Sequence, residues 1–172
     1  DSLELSIKRE LNLIAPLRDK ADLVLDTSNT SPNELRLKLG SIFPLANNRN
    51  IQIILQSFSF RKGSPSGLDM IFDCRFLKNP NWEDDLKNLN GTDTEVKNYL
   101  YKDKSWESFN NSLIKMMSTI IPSFEREGKS YLSIGLGCTG GQHRSVFVAE
   151  QLFEHLLDKD YDVKILHTTL QK

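Results

Sequence analysis

The run Tyr131-Leu132-Ser133-Ile134-Gly135-Leu136-Gly137-Cys138-Thr139-Gly140-Gly141-Gln142-His143-Arg144-Ser145-Val146 decides how this chain is read. It opens on a hydrophobic stretch, Tyr131 to Leu136, and leads into an amphipathic one, Val146 to Leu157. That order spells a strand, a tight glycine-rich loop and a helix. Such a loop turns several backbone N–H groups toward one point, at the positive end of a helix dipole. Arg144 adds a planar fork of donors whose shape suits a phosphate. The stretch therefore predicts an oxyanion site in an α/β protein, with phosphate as the first candidate. The bland alternative is a strand-to-helix turn that binds nothing.

Downstream, the helix is expected over about 144–158, burying Phe147, Leu152, Phe153 and Leu156. Asp162 to His167 reads as a closing strand, followed by a short tail, Thr168 to Lys172. Upstream, helices are expected at about 95–102 and 105–121. In the second, Trp106, Phe109, Leu113, Met117, Ile120 and Phe124 fall near one face, the spacing of a core stripe. Ile51 to Phe60 reads as a buried central strand, and Met70 to Phe76 as another. Residues 82–94 are polar, with a turn at Asn90-Gly91-Thr92-Asp93. Strands separated by helices point to a mostly parallel sheet flanked by helices. Ligands in such sheets sit at the C-terminal ends of the strands. There, Arg61-Lys62, the segment Asp73 to Asn79 and the loop 137–145 can share a cleft.

Residues 1–47 read differently. Leu3, Ile7, Leu11 and Ile14 have helical spacing, Ala21 to Ser28 reads as a short strand, and Ser31-Pro32-Asn33-Glu34 is a capping box opening a helix. A helix-strand-helix piece with one strand is no sheet by itself. The expectation is two parts, 1–47 and 48–172, joined by the polar Asn47-Asn48-Arg49-Asn50. The 172 residues are 38% hydrophobic and 26% charged with a net charge of −1, which suits a globular protein and supplies no global basic field for nucleic acid. Two cysteines make no disulfide framework, and no apolar run has membrane length, so the cytoplasm is the expected location. There is no metal-ligand spacing and no G-x-x-x-x-G-K-S/T loop.

Five residues separate Cys138 from Arg144, with Ser145 next. That is also the spacing of the cysteine-dependent phosphatase loop, in which a thiolate attacks phosphorus while amides and arginine hold the oxygens. Gly137 stands where those enzymes usually carry histidine. A binding loop is the leading reading and a phosphatase using Cys138 and Arg144 the alternative. A third reading makes the loop a purely structural part of an assembly domain. His143 can meet a ligand or cap the helix. His167 can be a buried hydrogen-bonded residue or part of a basic edge.

Four segments, Ser57 to Pro65, Phe72 to Trp82, Gly137 to Val146 and His167 to Leu170, together with Ala15-Pro16-Leu17-Arg18 and Ala21 to Ser28, closely resemble the RapZ/YvcJ family of bacterial RNase adapters and nucleotide-binding proteins. The resemblance implies that residues 1–47 end a P-loop kinase-like domain whose ATP or GTP site lies upstream, so that no cofactor belongs to this chain. It implies that residues 48–172 bind a phosphate-bearing metabolite, glucosamine-6-phosphate in the best-known members. It further implies that this part binds a small RNA and presents it to an endoribonuclease; a homo-oligomer is expected on a different ground, the unpaired strand read at 21–28. The ligand loop is then Thr139, Gly140, Gly141, Gln142, His143, Arg144 and Ser145, with Lys62 beside it where some members use histidine. Gln142 replaces a lysine common in that loop, and Thr168 an arginine. The RNA surface would draw on Arg61, Lys62, Lys164, His167 and Lys172.

Overall fold

The computed structural model describes residues 3–18, 20–42 and 51–170. The polar 47–50 stretch and Lys172, a residue of the expected RNA surface, lie outside the described residues. The chain divides into two compact units, Asp1–Asn48 and Arg49–Lys172.

The first unit holds helices α1 (Leu3–Arg18) and α2 (Pro32–Ile42). The capping box before α2 is formed. The Ser31 N–H donates to Glu34 Oε2 at 2.8 Å, and the Glu34 N–H returns a bond to Ser31 Oγ at 3.3 Å. The expected strand at 21–28 is not present: these residues have irregular backbone with a bend and a turn and join no ladder among the described residues. An apolar run becomes a strand only beside a neighbour that takes its N–H and C=O groups. Here Asp26 instead accepts the Ser28 N–H at 2.9 Å and begins a turn.

The second unit carries the sheet. Its strands are β1 (Gln52–Ser59), β2 (Met70–Asp73), β3 (Tyr131–Cys138) and β4 (Val163–His167), ordered β2-β3-β1-β4. Every pairing is parallel: Ser59 lies opposite Cys138, Asp73 opposite Gly137, and Ser57 opposite His167. The C-terminal ends of all four strands thus meet along one edge. Ile53, Leu55, Leu132, Ile134 and Leu136 of the two central strands are fully buried, as expected for a sheet covered on both faces.

β2 is shorter than the sequence predicts. The Cys74 N–H still donates to the Gly137 carbonyl of β3 at 2.7 Å, and the chain then turns because Asp73 Oδ1 accepts the Arg75 N–H at 2.9 Å. Helices α3 (Thr94–Tyr101), α4 (Trp106–Arg126) and α5 (Arg144–Leu157) complete the unit. α4 runs past its expected end and through Pro122, which removes only one helical donor. Its fully covered residues are Trp106, Leu113, Met117 and Ile121, with Phe109 and Phe124 partly buried against the core. Phe147, in the first turn of α5, is fully buried against the Trp106 and Tyr101 rings, with centroids 4.5 and 5.1 Å away. Burying an aromatic of that size stabilises by roughly 1.5–3 kcal/mol, and this one fixes the start of α5, where the glycine loop ends.

Candidate functional site

The loop runs from the last residue of β3 to the first of α5. Each turn is held by a different neighbour. From β1, Ser59 Oγ donates to the Thr139 carbonyl at 2.8 Å. The Gly141 N–H donates to Cys138 Sγ at 3.2 Å, and Ser145 Oγ lies 3.1 Å from the same sulfur. Cys138 is 3% exposed. Its thiol therefore shapes the floor of the loop.

The segment 82–94, which the sequence presents only as polar and turn-rich, clasps the other side. The Gly91 N–H donates to the Gln142 carbonyl at 2.9 Å, Gln142 Nε2 donates to the Leu89 carbonyl at 2.6 Å, and His143 Nε2 meets the Leu86 carbonyl at 3.1 Å. A carbonyl only accepts, so the His143 proton sits on Nε2. Burial, and then the neighbouring Arg144 charge, lower the His143 pKa below its ordinary 6.5, against an opposing pull from the Leu86 carbonyl. His143 is thus a neutral, buried residue at neutral pH.

Arg144 is 6% exposed. Nη1 donates to the carbonyls of Arg75 and Leu77 at 2.9 and 3.1 Å, and Nη2 to Thr139 Oγ1 at 3.3 Å. All three acceptors are neutral, and Arg144 forms no ion pair with a carboxylate among the described residues. A guanidinium has five N–H donors, so two remain. The nearby Asp73 carboxylate is occupied by Arg75 at 2.6 Å; that bond holds its pKa below the usual range, with a smaller pull from Arg144.

A cavity of about 90 Å³ opens here. Cys138, Thr139, Gly140, Gln142, His143 and Arg144 line one side, and Arg61, Asn79 and Asn81 the other. Two arginines and no carboxylate form this wall. A larger cavity, about 200 Å³, lies at the far end of α5 between Met117, Ile121, His155, Leu156, Lys159 and Tyr161. It lacks a strand-end loop or helix N-terminus, the features that concentrate backbone donors.

Several residues sit elsewhere than the sequence suggests. Arg61, in the single helical turn Phe60–Lys62, lines the cavity; Lys62 does not. Ser145 is fully buried and reaches only the thiol side. Gly141 is buried and faces the C-terminal tail rather than the cavity. His167 belongs to no open basic edge: Nδ1 is 2.8 Å from Ser57 Oγ and Nε2 is 2.8 Å from Glu150 Oε1. Lys164 lies exposed on β4, an edge strand. Asn79, the last residue of the segment expected to share the cleft, and Asn81 just beyond it stand on the cavity wall. Asn79 Oδ1 accepts the Asn81 N–H at 3.4 Å, a turn signal the sequence does carry.

Fold and site together define a parallel α/β domain with a cation-lined, glycine-rich loop between a central strand and the helix after it. Residues 51–171 match the family model of the RapZ C-terminal domain, and the chain belongs to the RapZ family. Its relatives include nucleotide-binding proteins of Dinoroseobacter shibae, 45% identical over 166 residues, and of Ruegeria sp. strain TM1040, 40% identical over 170. A third, from Ruegeria pomeroyi, is 37% identical over 166 residues. These alignments cover 96%, 99% and 96% of this chain but 55%, 56% and 58% of the relatives, so the chain spans a little over half their length.

Proposed function

We propose that this domain is an RNA-binding adapter module that senses a phosphorylated metabolite, with the loop 138–144 and Arg61 as the phosphate cradle. The observation that carries the reading is the nearly buried Arg144, bonded only to neutral acceptors, beside Arg61 in a cavity without an acid. A buried cation bonded only to neutral groups is weakly compensated, because the nearby Asp73 carboxylate is paired with Arg75, and an anion entering the cavity supplies a counter-charge. About 90 Å³ is roughly three times the ~30 Å³ share of a water molecule. That is room for a phosphate group, with its carrier held outside, over Asn79 and Asn81. By family resemblance the carrier is glucosamine-6-phosphate. The same resemblance makes small RNA and an endoribonuclease the partners. Among the described residues no helix is long and apolar enough to cross a membrane. Residues 1–47 then close a P-loop kinase-like domain, and ATP or GTP binding, in keeping with the relatives' names, belongs to the part of the protein upstream.

For RNA, Arg61, Lys62 and Lys164 are the exposed cations of the expected surface among the described residues, since His167 is held by Ser57 and Glu150. With few such contacts the salt dependence is shallow, a slope of about −0.7 per phosphate for single strands. Calorimetry with inorganic phosphate and with glucosamine-6-phosphate tests the cradle. Both bind, and Arg144→Ala weakens both by about 10-fold or more, the loss of charged hydrogen bonds worth roughly 1.5–3 kcal/mol. Arg61→Ala, at an exposed site, weakens both while leaving the fold intact. Absence of binding at millimolar ligand, or unaltered affinity in both variants, overturns the reading.

The second reading, a cysteine-dependent phosphatase, is favoured by one observation: Cys138 lines the cavity with the Gly141 N–H and Ser145 Oγ on its sulfur. It predicts turnover of an aryl phosphate that Cys138→Ser abolishes. The binding reading predicts no turnover of an aryl phosphate by the wild type either.

A further inference from the structure

We propose that the C-terminal tail is a working part of the loop: Thr169 is a positioning residue that orients the Gly141–Gln142 peptide, and a phosphate on the loop stabilises the tail in return. The second half rests on the cradle reading above; the first does not.

The last residue of β4 and the two that follow it are each tied down. His167 lies between Ser57 Oγ and Glu150 Oε1, at 2.8 Å from each. The Thr168 N–H and Oγ1 both donate to the Ser57 carbonyl, at 3.0 and 2.8 Å. Thr169 Oγ1 donates to the Gly141 carbonyl. Ser57, His167 and Glu150 have the chemical order of nucleophile, base and orienting acid, but Ser57 is fully buried and open to no substrate. The chain of bonds is therefore an anchor joining β1, α5 and the tail.

The approach of tail to loop is built into residue 141. Gly141 has φ +72°, and a Cβ there would lie 2.5 Å from Thr169 Oγ1 and 2.9 Å from the Ser59 nitrogen. Only glycine permits that conformation and that contact together. Both backbone groups of Gly141 are engaged, the N–H by Cys138 Sγ and the C=O by Thr169. A trans peptide points its N–H opposite to its C=O. With the Gly141 carbonyl held toward the tail, the Gln142 N–H points away from the tail, and it has no acceptor among the described residues. Thr169 thus fixes the direction of one backbone donor of the cradle. By linkage, a ligand that needs that direction makes the tail bond more stable.

Hydrogen exchange read by mass spectrometry, on the whole chain with and without inorganic phosphate, tests this in wild type, Thr169→Val and Thr169→Ser. In the free protein, Thr169→Val exchanges the amides of 139–143 about 3- to 10-fold faster, the effect of losing one hydrogen bond. It also binds phosphate about 3- to 10-fold more weakly, and Thr169→Ser restores both values. In wild type, phosphate slows exchange at 168–170. Unchanged exchange at 139–143 in Thr169→Val overturns the proposal, as does faster exchange with unaltered phosphate affinity. If wild type itself fails to bind phosphate, the cradle reading falls, and exchange in the free protein alone decides the Thr169 tether.

Discussion

At the scale of single residues, the site is a question of where charge is left uncompensated. Arg144 is buried among carbonyls, and His143 beside it is held neutral by burial and by that same charge. The sign of the pH effect follows. The folded-state pKa of His143 lies below the unfolded value of about 6.5. As pH falls through this window the unfolded chain takes up a proton that the folded chain refuses. Stability is therefore fully present above about pH 6.5 and declines below it, by at most about 1.36 kcal/mol per pH unit for one group. Thermal unfolding between pH 7.5 and about 5.5 checks it against His143→Gln, whose amide can still donate to the Leu86 carbonyl. Wild type loses more melting temperature than the variant over that range; parallel curves would show that His143 is not the group responsible.

At the scale of elements, the loop is only as well placed as the pieces that press on it. Gly91 comes so close to the start of α5 that an added Cβ would lie 2.2 Å from the His143 carbonyl oxygen and 2.4 Å from the Phe147 nitrogen. Those two atoms form the first hydrogen bond of the helix, at 2.9 Å. Backbone cannot step aside as a flexible side chain can. Gly91→Ala is expected to cost at least about 2–3 kcal/mol, at the upper end for overpacking, and to weaken phosphate binding with it. Gly140, in the loop itself, has no positive φ, and a Cβ added there would meet nothing within 4 Å. Gly140→Ala should leave stability within about 0.5 kcal/mol. Urea midpoints of the two variants measure the contrast, and similar midpoints would refute it. The pair also marks what sequence reveals. The strand-loop-helix order at 131–157 was legible because glycine spacing and hydrophobic period are local properties. The clasp at 82–94 was not, because Leu86 and Leu89 act through carbonyls that any residue would offer. Nor was the early end of β2, which the Asp73–Arg75 turn determines, or the missing strand at 21–28, whose state depends on a neighbour.

At the scale of the whole molecule, the two units differ in how their hydrophobic residues are used. β1 and β3 place side chains at 0% exposure, whereas α1 has no buried residue and leaves Leu3, Leu11, Leu13 and Leu17 at 78, 62, 77 and 67%. Helices of about 12–15 residues or fewer are marginal in water without packing, and α1, at 16 residues, is barely longer. Local opening costs little where little apolar surface is buried. In dilute solution, amides of α1 should exchange with protection below about 10-fold, while those of β1 and β3 approach the protection set by global unfolding, on the order of 10³-fold or more. Exposed apolar side chains of this kind also favour association with a matching surface. If the protein assembles through them, α1 protection rises with protein concentration while that of β3 stays constant, because assembly stabilises by mass action only what it covers. Exchange followed at micromolar and at near-millimolar protein separates the cases. Protection of α1 equal to that of β3 at the lower concentration would overturn the argument, since it would require a burial that α1 lacks.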